Sequence, residues 1–379
     1  MPYLAVIIYF IVIMTSHKRY HVPIIKLHQP DDSYKKRLVQ PVIENYPYHL
    51  NAEKFTELGA DKFSFQMVGD TGGVKYPDGQ QKIAQQLCKQ ISESEANEKP
   101  AFLYHLGDVV YHFGEAEHYE RQFFKPYEQY YRPIFAIAGN HDSDINPVNP
   151  IPYHSLDAFK AVFCDAESRP ISFANTQRKS MVQPNIYWTL QTPLATIIGL
   201  HSNVPKYGFI DEEQRAWFIE ELKMAAAKRP DKIIIVTIHH APYSADVNHG
   251  SSIAMISFLE DAFERSGVRP DIIFSGHVHN YQRFNKTYPD GKLLPFVVCG
   301  AGGFDELHYI VEVGDSYYSD QHPLLKNVTL EKYCEMKHGF LKITLERKQA
   351  GISLSGEYTV LCNDAGKSTD VKDVFEYTF

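Results

Sequence analysis

Short apolar runs that stop at glycine-containing or polar clusters form the main pattern of the chain from residue 62 onward. Each run holds five or six residues, mostly β-branched, aliphatic or aromatic. Runs of this kind are typical of strands followed by tight turns. The pattern predicts strands over residues 63–68, 101–106, 133–138, 233–238, 271–275 and 295–299.

Apolar residues recur at helical spacing in three segments between these runs. The predicted helices cover residues 80–92, 211–227 and 252–266. Asp211 and Gln214 form a capping-box-like start, and Gly267 is a stop signal. Strands that alternate with helices favour an α/β fold, in which ligands gather beyond the carboxyl ends of the strands. We therefore expect the polar clusters to converge on one site.

The two ends of the chain differ from this middle part. Residues 20–60 are a polar stretch without periodicity, so we expect residues 1–60 to be an irregular lead-in to a domain of residues 61–379. After residue 339 apolar and polar positions alternate, which predicts antiparallel strands that close a sheet edge. The stretches 143–185 and 304–335 are long, polar and proline-containing, and we interpret them as surface insertions.

Composition excludes several classes of function. The chain has 379 residues, 38 Lys and Arg, 46 Asp and Glu, and a net charge of −8. Without a basic block, it is not expected to bind nucleic acid. Its 5 scattered cysteines contain no C-x-x-C pair, so neither a disulfide framework nor a thiolate zinc site is indicated. The 18 histidines are an excess that a metal site would explain.

The amino-terminal segment leaves the compartment open. Residues 3–14 form an apolar run that is too short to span a bilayer of about 30 Å, so we expect no stable membrane span. The run lacks a basic region before it and a small-x-small cleavage site after it. A poor export signal, an anchor and a misassigned start all remain open. The cysteine usage slightly favours the cytoplasm over export.

The strand-end clusters share a set of oxygen and nitrogen donors. Taken singly, Asp and Asn after Gly are ordinary turn residues, and a His-x-His pair is compatible with a solvated surface. Their joint occurrence directly after predicted strands favours one common site. Carboxylate, amide, phenol and imidazole donors without thiolate suit Fe, Mn or Zn, and one carboxylate can bridge two cations. The sequence therefore predicts a two-metal centre.

These clusters also resemble the five motifs of the purple acid phosphatases, which belong to the calcineurin-like metallophosphoesterase superfamily. The motifs are GDTG at 69–72, GDVVY at 107–111, GNHD at 139–142, VTIH at 236–239 and GHVH at 276–279. The resemblance covers roughly residues 62–345. It implies a four-layer αββα sandwich of mixed sheets with the metal site at the carboxyl ends of the strands.

The resemblance also implies a ligand set. Fe(III) would be held by Asp70, Asp108, Tyr111 and His279. Asp108 would bridge to a divalent Fe, Zn or Mn ion held by Asn140, His239 and His277. His141 and His249 resemble the histidines that bind the phosphate and assist the leaving group. Motif spacing favours His239 as the ligand but leaves His240 open.

Tyr111 decides the branch of the superfamily. Most members carry a histidine ligand at the position of Gly72, and the purple branch uses a tyrosine three residues after the bridging aspartate instead. A phenolate is a hard, anionic donor that favours a trivalent ion. Residues 1–60 are too short for the β-sandwich of the large plant-type members, so the layout is nearer the small single-domain type.

The implied activity is acid phosphatase-like hydrolysis of a small phosphate ester. A metal-activated hydroxide would attack, and a protonated histidine would stabilise the departing alkoxide. The same metal centre would also serve a phosphodiesterase or a nucleotide pyrophosphatase. A non-catalytic metal-binding protein is a further alternative.

Overall fold

A computed structural model describes residues 18–37, 46–96, 98–362 and 368–379. The apolar run 3–14 lies outside these residues. The strands in chain order are β1 (Ile25–Lys26), β2 (His49–Asn51), β3 (Lys62–Val68), β4 (Pro100–His105), β5 (Ile134–Ala136), β6 (Trp188–Gln191), β7 (Ala195–Leu200), β8 (Ile233–Ile238), β9 (Ile272–Ser275), β10 (Tyr281–Thr287), β11 (Leu293–Cys299), β12 (Tyr318–Ser319), β13 (Val328–Cys334), β14 (Gly339–Lys348), β15 (Gly351–Leu361) and β16 (Thr369–Thr378).

The α-helices are α1 (Asp78–Glu93), α2 (Ala116–Tyr119), α3 (Asn140–Ser143), α4 (Asp157–Phe163), α5 (Glu212–Ala226) and α6 (Ile253–Ser266). A π-helical turn, Glu120–Phe124, continues α2. None of these described helices combines the length and the apolar character that crossing a membrane requires.

Two large mixed sheets form the centre of the fold. One has the strand order β16-β15-β14-β3-β4-β5, and the other has the order β13-β10-β11-β9-β8-β7-β6-β2. Strands β3, β4 and β5 run parallel in the first sheet. Strands β7, β8, β9 and β11 run parallel in the second. The carboxyl ends of each parallel set therefore lie at one edge of its sheet.

The sheets pack face to face through aromatic side chains. Tyr104 of β4 stacks on Trp188 of β6 with ring centroids 6.2 Å apart. The hydroxyl of Tyr104 lies 3.0 Å from the hydroxyl of Thr237 on β8. On the outer side of β3, the side-chain amide of Gln66 donates a hydrogen bond to the carbonyl of Leu87 in α1.

Helices α5 and α6 pack against each other at the second sheet, where the rings of Phe218 and Phe258 stack 5.6 Å apart. With α1 at the first sheet, this pairing gives the layers of an αββα sandwich. The four-layer α/β fold predicted from the sequence is confirmed.

Most predicted elements are also confirmed. Each of the six predicted strands has its counterpart, and the three predicted helices are α1, α5 and α6. Asp211 caps α5 by accepting a hydrogen bond from the backbone N–H of Gln214 at 2.8 Å. The antiparallel tail is confirmed as β14, β15 and β16 at the edge of the first sheet. Strands β6 and β7 were missed because a Thr-Pro-Leu turn joins them, whereas the prediction relied on glycine-containing clusters.

The outer strands of the second sheet come from unexpected parts of the chain. The lead-in is not irregular throughout, because β2 pairs in parallel with β6 as an outer strand. The stretch 304–335, interpreted as a surface insertion, contributes β13 at the opposite edge. Edge strands pair on one side only and need few apolar residues, so their sequences carry a weak signal. The division at residue 60 stays a prediction.

Helix α6 offers a clean test of local strain. Gly267 ends it in the left-handed region, with φ 69°, and a Cβ atom there would meet no atom within 4 Å. We expect Gly267→Ala to lower the free energy of unfolding by about 1 kcal/mol, because only backbone strain is added. Gly267→Asn should cost less. Urea denaturation measures both, and an unchanged midpoint for Gly267→Ala would contradict the assigned conformation.

Candidate metal centre

The motif residues follow strands of both sheets. Asp70 follows β3, Asp108 follows β4 and Asn140 follows β5, all in the first sheet. His239 and His277 follow β8 and β9 in the second. Ligands in such folds gather beyond the carboxyl ends of the strands. Here the two edges meet, and the seven predicted ligands lie together.

Backbone N–H groups hold the two central carboxylates. Both oxygens of Asp70 accept from the N–H of His277, at 3.0 and 2.8 Å, which joins the two sheets. Asp108 accepts from the N–H of His141 at 2.9 Å. Asp70, Asp108 and His277 adopt left-handed backbone conformations, with φ of 58°, 54° and 67°. Such strain in non-glycine residues concentrates at functional sites.

One group of donor atoms comes from Asp70, Tyr111 and His279. The hydroxyl of Tyr111 donates to Oδ1 of Asp70 at 3.3 Å and lies 3.4 Å from Nε2 of His279. The same Nε2 is 3.6 Å from Oδ1 of Asp70. All three side chains are buried. These contacts bring a carboxylate, a phenol and an imidazole to one point.

A second group surrounds the amide oxygen of Asn140. This Oδ1 lies 2.9 Å from Nδ1 of His277 and 3.1 Å from Nε2 of His239. Nε2 of His239 is also 3.4 Å from Oδ2 of Asp108. Ligand atoms of Asp70, Asp108 and His239 all lie within 4.8 Å of one another. Asp108 therefore lies at the junction of the two groups.

The tautomers of the three histidines fit metal ligation. His239 donates from Nδ1 to the carbonyl of Leu106 at 2.8 Å, and His279 donates from Nδ1 to that of Glu306 at 2.9 Å. His277 donates from Nε2 to the carbonyl of Lys206 at 3.1 Å. In a neutral imidazole the nitrogen that does not donate carries a lone pair. These nitrogens are Nε2 of His239 and His279 and Nδ1 of His277, and each faces the group of predicted ligands to which its residue belongs.

Facing lone pairs repel unless a cation or a proton lies between them. The nitrogens of His239 and His277 both face Oδ1 of Asn140, which is itself an acceptor. Burial lowers the pKa of His239, but the nearby charge of Asp108 acts in the opposite direction, and the pKa is raised to about 9 overall. Without a metal ion, the imidazole of His239 therefore binds a proton. Burial, together with Asp108 and Asp70, raises the pKa of Tyr111. A phenolate therefore needs a cation beside it, and the donor set fits metal ions.

Tyr111 occupies the space that a side chain at position 72 would need. A Cβ atom on Gly72 would lie 2.9 Å from Cδ2 of Tyr111 and 2.3 Å from Oε1 of Gln122. Gln122 holds the backbone of Tyr111 by two hydrogen bonds of 2.8 Å, one to its N–H and one to its carbonyl. The ring stacks on Phe304 at 3.8 Å. Tyrosine at 111 and glycine at 72 are thus sterically linked.

His240 points away from the donor groups. Its Nδ1 lies 2.7 Å from the hydroxyl of Ser202, while its ring packs 4.3 Å from that of His277. His239, by contrast, places Nε2 near both Asp108 and Asn140. The geometry favours His239 as the ligand.

The donor groups open onto a cleft of about 610 Å³ that His141 and His249 also line. His141 donates from Nδ1 to the carbonyl of His112 at 2.9 Å. The ring of His249 lies 4.1 Å from that of His277. Burial and the neighbouring imidazoles of His279 and His308 lower the pKa of His249. A bound phosphate would oppose that shift by its negative charge.

Three supporting residues were missed from the sequence, namely Gln122, Asp142 and Asp246. Asp142, inside the GNHD motif, accepts from the N–H groups of Val109 at 3.0 Å and Gly139 at 2.8 Å, which ties two motif loops together. Asp246 accepts from the N–H of His249 at 2.6 Å. Of the three, only Asp142 could have been found from the sequence, because it belongs to the GNHD motif.

Comparison with known proteins assigns the chain to a family. The model of the calcineurin-like phosphoesterase family matches residues 64–281, more than half of the chain. The chain therefore belongs to the calcineurin-like phosphoesterase family. Within that family it resembles the purple acid phosphatases, as the motifs predicted.

Two relatives are purple acid phosphatases of Arabidopsis thaliana. Purple acid phosphatase 21 is 27% identical over 178 residues, which cover 45% of this chain and 36% of the relative. Purple acid phosphatase 22 is 23% identical over 180 residues, which cover 45% of this chain and 37% of the relative. The matched region thus spans just over a third of each relative.

A solved structure described as GAP50, the anchor in the inner membrane complex of Plasmodium, shares the fold. It has a TM-score of 0.54 and 16% identity, and the match covers 84% of this chain and 89% of that one. At this identity the likeness concerns the fold alone.

The two adjacent histidines can be distinguished by metal content. We expect His239→Gln to lower the bound divalent metal, because its Nε2 faces Asp108 and Asn140. His240→Gln should retain both ions, since Nδ1 of His240 is directed at Ser202. Elemental analysis of the purified variants measures this. Metal loss in His240→Gln with retention in His239→Gln would reverse the assignment.

Proposed function

We propose that this protein hydrolyses phosphate monoesters with two bound metal ions, Fe(III) and a divalent Fe, Zn or Mn ion. The observation that carries the proposal is the set of buried lone pairs that face one another around Asp108 and Asn140. In the observed orientation of the Asn140 amide, its Oδ1 and the two imidazole nitrogens are all acceptors, and a cation between them satisfies all three.

Asp70, Asp108, Tyr111 and His279 would hold Fe(III), and Asp108, Asn140, His239 and His277 would hold the divalent ion. When bound, the ions would neutralise the phosphoryl oxygens and activate a water for attack. The donor atoms are held in place by backbone contacts, so little reorganisation is needed on binding.

The cleft histidines would act on the substrate. Nδ1 of His141 donates a hydrogen bond to the carbonyl of His112, so Nε2 would be the nitrogen that contacts a phosphoryl oxygen. The ring of His249 packs against that of His277, where it could donate a proton to the departing oxygen. Asp246 would position His249 by accepting its backbone N–H.

A non-catalytic role is the second candidate. Its support is the fold shared with a protein described as an anchor. Retention of all seven predicted ligands and both cleft histidines argues against it, because a scaffold needs none of them. A phosphodiesterase would use the same centre, so activity must be compared between substrates.

The reaction class is tested with p-nitrophenyl phosphate and bis(p-nitrophenyl) phosphate, which share a leaving group. We expect a higher kcat/KM for the monoester. Asp108→Asn should lower both rates more than about a hundredfold and reduce bound metal, because loss of a residue that merely orients a ligand already costs about 10- to 100-fold. A preference for the diester would indicate a phosphodiesterase, and no hydrolysis by the metal-loaded protein would contradict the proposal.

The role of His249 is tested by leaving-group dependence. His249→Ala should lower kcat by about 10²–10⁴-fold on an alkyl phosphate, with metal content unchanged, because a general acid is lost. On p-nitrophenyl phosphate the loss should be much smaller, since that leaving group needs no proton. Equal losses on the two esters would show that His249 binds the phosphate instead.

A further inference from the structure

The lead-in forms one wall of the cleft. Ile24 donates its N–H to the carbonyl of Ser244 at 2.8 Å, and its carbonyl accepts from the N–H of Ser251 at 2.7 Å. Farther along, Asp32 accepts from the backbone N–H of Lys206 at 2.9 Å. These contacts tie the lead-in to the loops that follow β7 and β8. A segment expected to lie outside the domain therefore contributes to the site.

This wall brings ammonium groups to the cleft. Lys35 and Lys206 line it together with four of the seven predicted metal ligands. The Nζ of Lys206 donates to the amide oxygen of Gln29 at 3.1 Å, a neutral partner. In the described part of the chain, neither Lys35 nor Lys206 forms an ion pair with a carboxylate.

A third ammonium group adds to this positive charge. Lys26 donates from Nζ to the carbonyl of Val247 at 3.1 Å, again a neutral partner. Burial and the charges of Lys26 and Lys35 lower the pKa of Lys206, while the charges of Asp32 and Asp246 oppose them. Like charges gathered in a partly buried cleft repel, and an anionic ligand relieves that repulsion.

The carboxylates that line the cleft form no ion pair with these lysines. Asp144 forms an ion pair with Arg37 at 2.7 Å. Asp32 uses one oxygen for the N–H of Lys206, and Glu306 is exposed. The ammonium groups of Lys35 and Lys206 therefore have no ion-pair partner among the described residues, and both line the cleft beside the predicted metal centre.

We infer that Lys35 and Lys206 bind a second phosphate group of the substrate, so that the preferred esters are compact bisphosphates. This inference rests on the proposed function, because the metal centre would take the phosphate that is cleaved. A carbonyl of the same Lys206 holds His277, so the second phosphate would lie near the ligand of the divalent ion.

The test compares ethylene glycol bisphosphate with ethylene glycol monophosphate, both of which release a primary alkoxide. The bisphosphate should have a kcat/KM about tenfold higher, because it adds charge-assisted hydrogen bonds. The double variant Lys35→Gln/Lys206→Gln should abolish this preference. Lys36→Gln is the matched control, since Lys36 is exposed over the ring of Phe209 and does not line the cleft. The control should keep the full preference.

A binding measurement separates this inference from the proposed function. Titration calorimetry of the metal-loaded protein should show pyrophosphate binding about tenfold tighter than phosphate, and the double variant should lose the difference. The single variant Lys35→Gln, whose side chain makes no hydrogen bond in the described residues, should lose part of it without altered folding. An unchanged preference in the double variant would overturn the inference while leaving the hydrolase intact. Absence of all hydrolysis, with lysine-dependent pyrophosphate binding, would refute only the proposed function.

Discussion

Buried aspartates that accept backbone N–H groups hold the site together. Asp70 accepts from His277 of the opposite sheet, and Asp108 accepts from His141. Asp142 links the loops after β4 and β5 through Val109 and Gly139. Each carboxylate belongs to one loop and fixes another. The same hydrogen bonds that close the fold therefore orient the donor atoms, which is the preorganisation that a metal site and a catalytic site both need.

The site gathers buried carboxylate acceptors where water does not reach them. Asp70 and Asp108 are buried, and the ion-pair partners the structure gives them are His279 and His239. Burial of carboxylates is costly unless positive charge compensates it. Metal ions would supply that charge and would give a chain of net charge −8 a local field that attracts phosphate. Lys35 and Lys206 would extend this field along the cleft.

Most of the strands and most of the predicted ligands could be found from the sequence because short local patterns mark them. A strand that ends in glycine and a polar residue can be recognised from a few consecutive residues. The parallel arrangement of β3, β4 and β5 then brings Asp70, Asp108 and Asn140 to one edge of the first sheet. Motif spacing favoured His239 but left His240 open, because two adjacent residues at a strand end face opposite ways and a short pattern does not say which one faces the site. The contacts of Gln122 with Tyr111 and of Asp246 with His249 depend on loop paths that no short pattern encodes. The lead-in wall was missed because its contacts with the loops after β7 and β8 are long-range.

The central claim, a two-metal centre with a coordinated Tyr111, is tested most directly by metal analysis and a visible spectrum on one oxidised sample. Two ions per chain are predicted, one of them Fe(III), with a violet colour from phenolate-to-iron charge transfer. Tyr111→Phe should bleach the colour and weaken iron retention more than retention of the divalent ion. A fully iron-loaded, oxidised protein that is colourless would show that Tyr111 is not a ligand and would contradict the account.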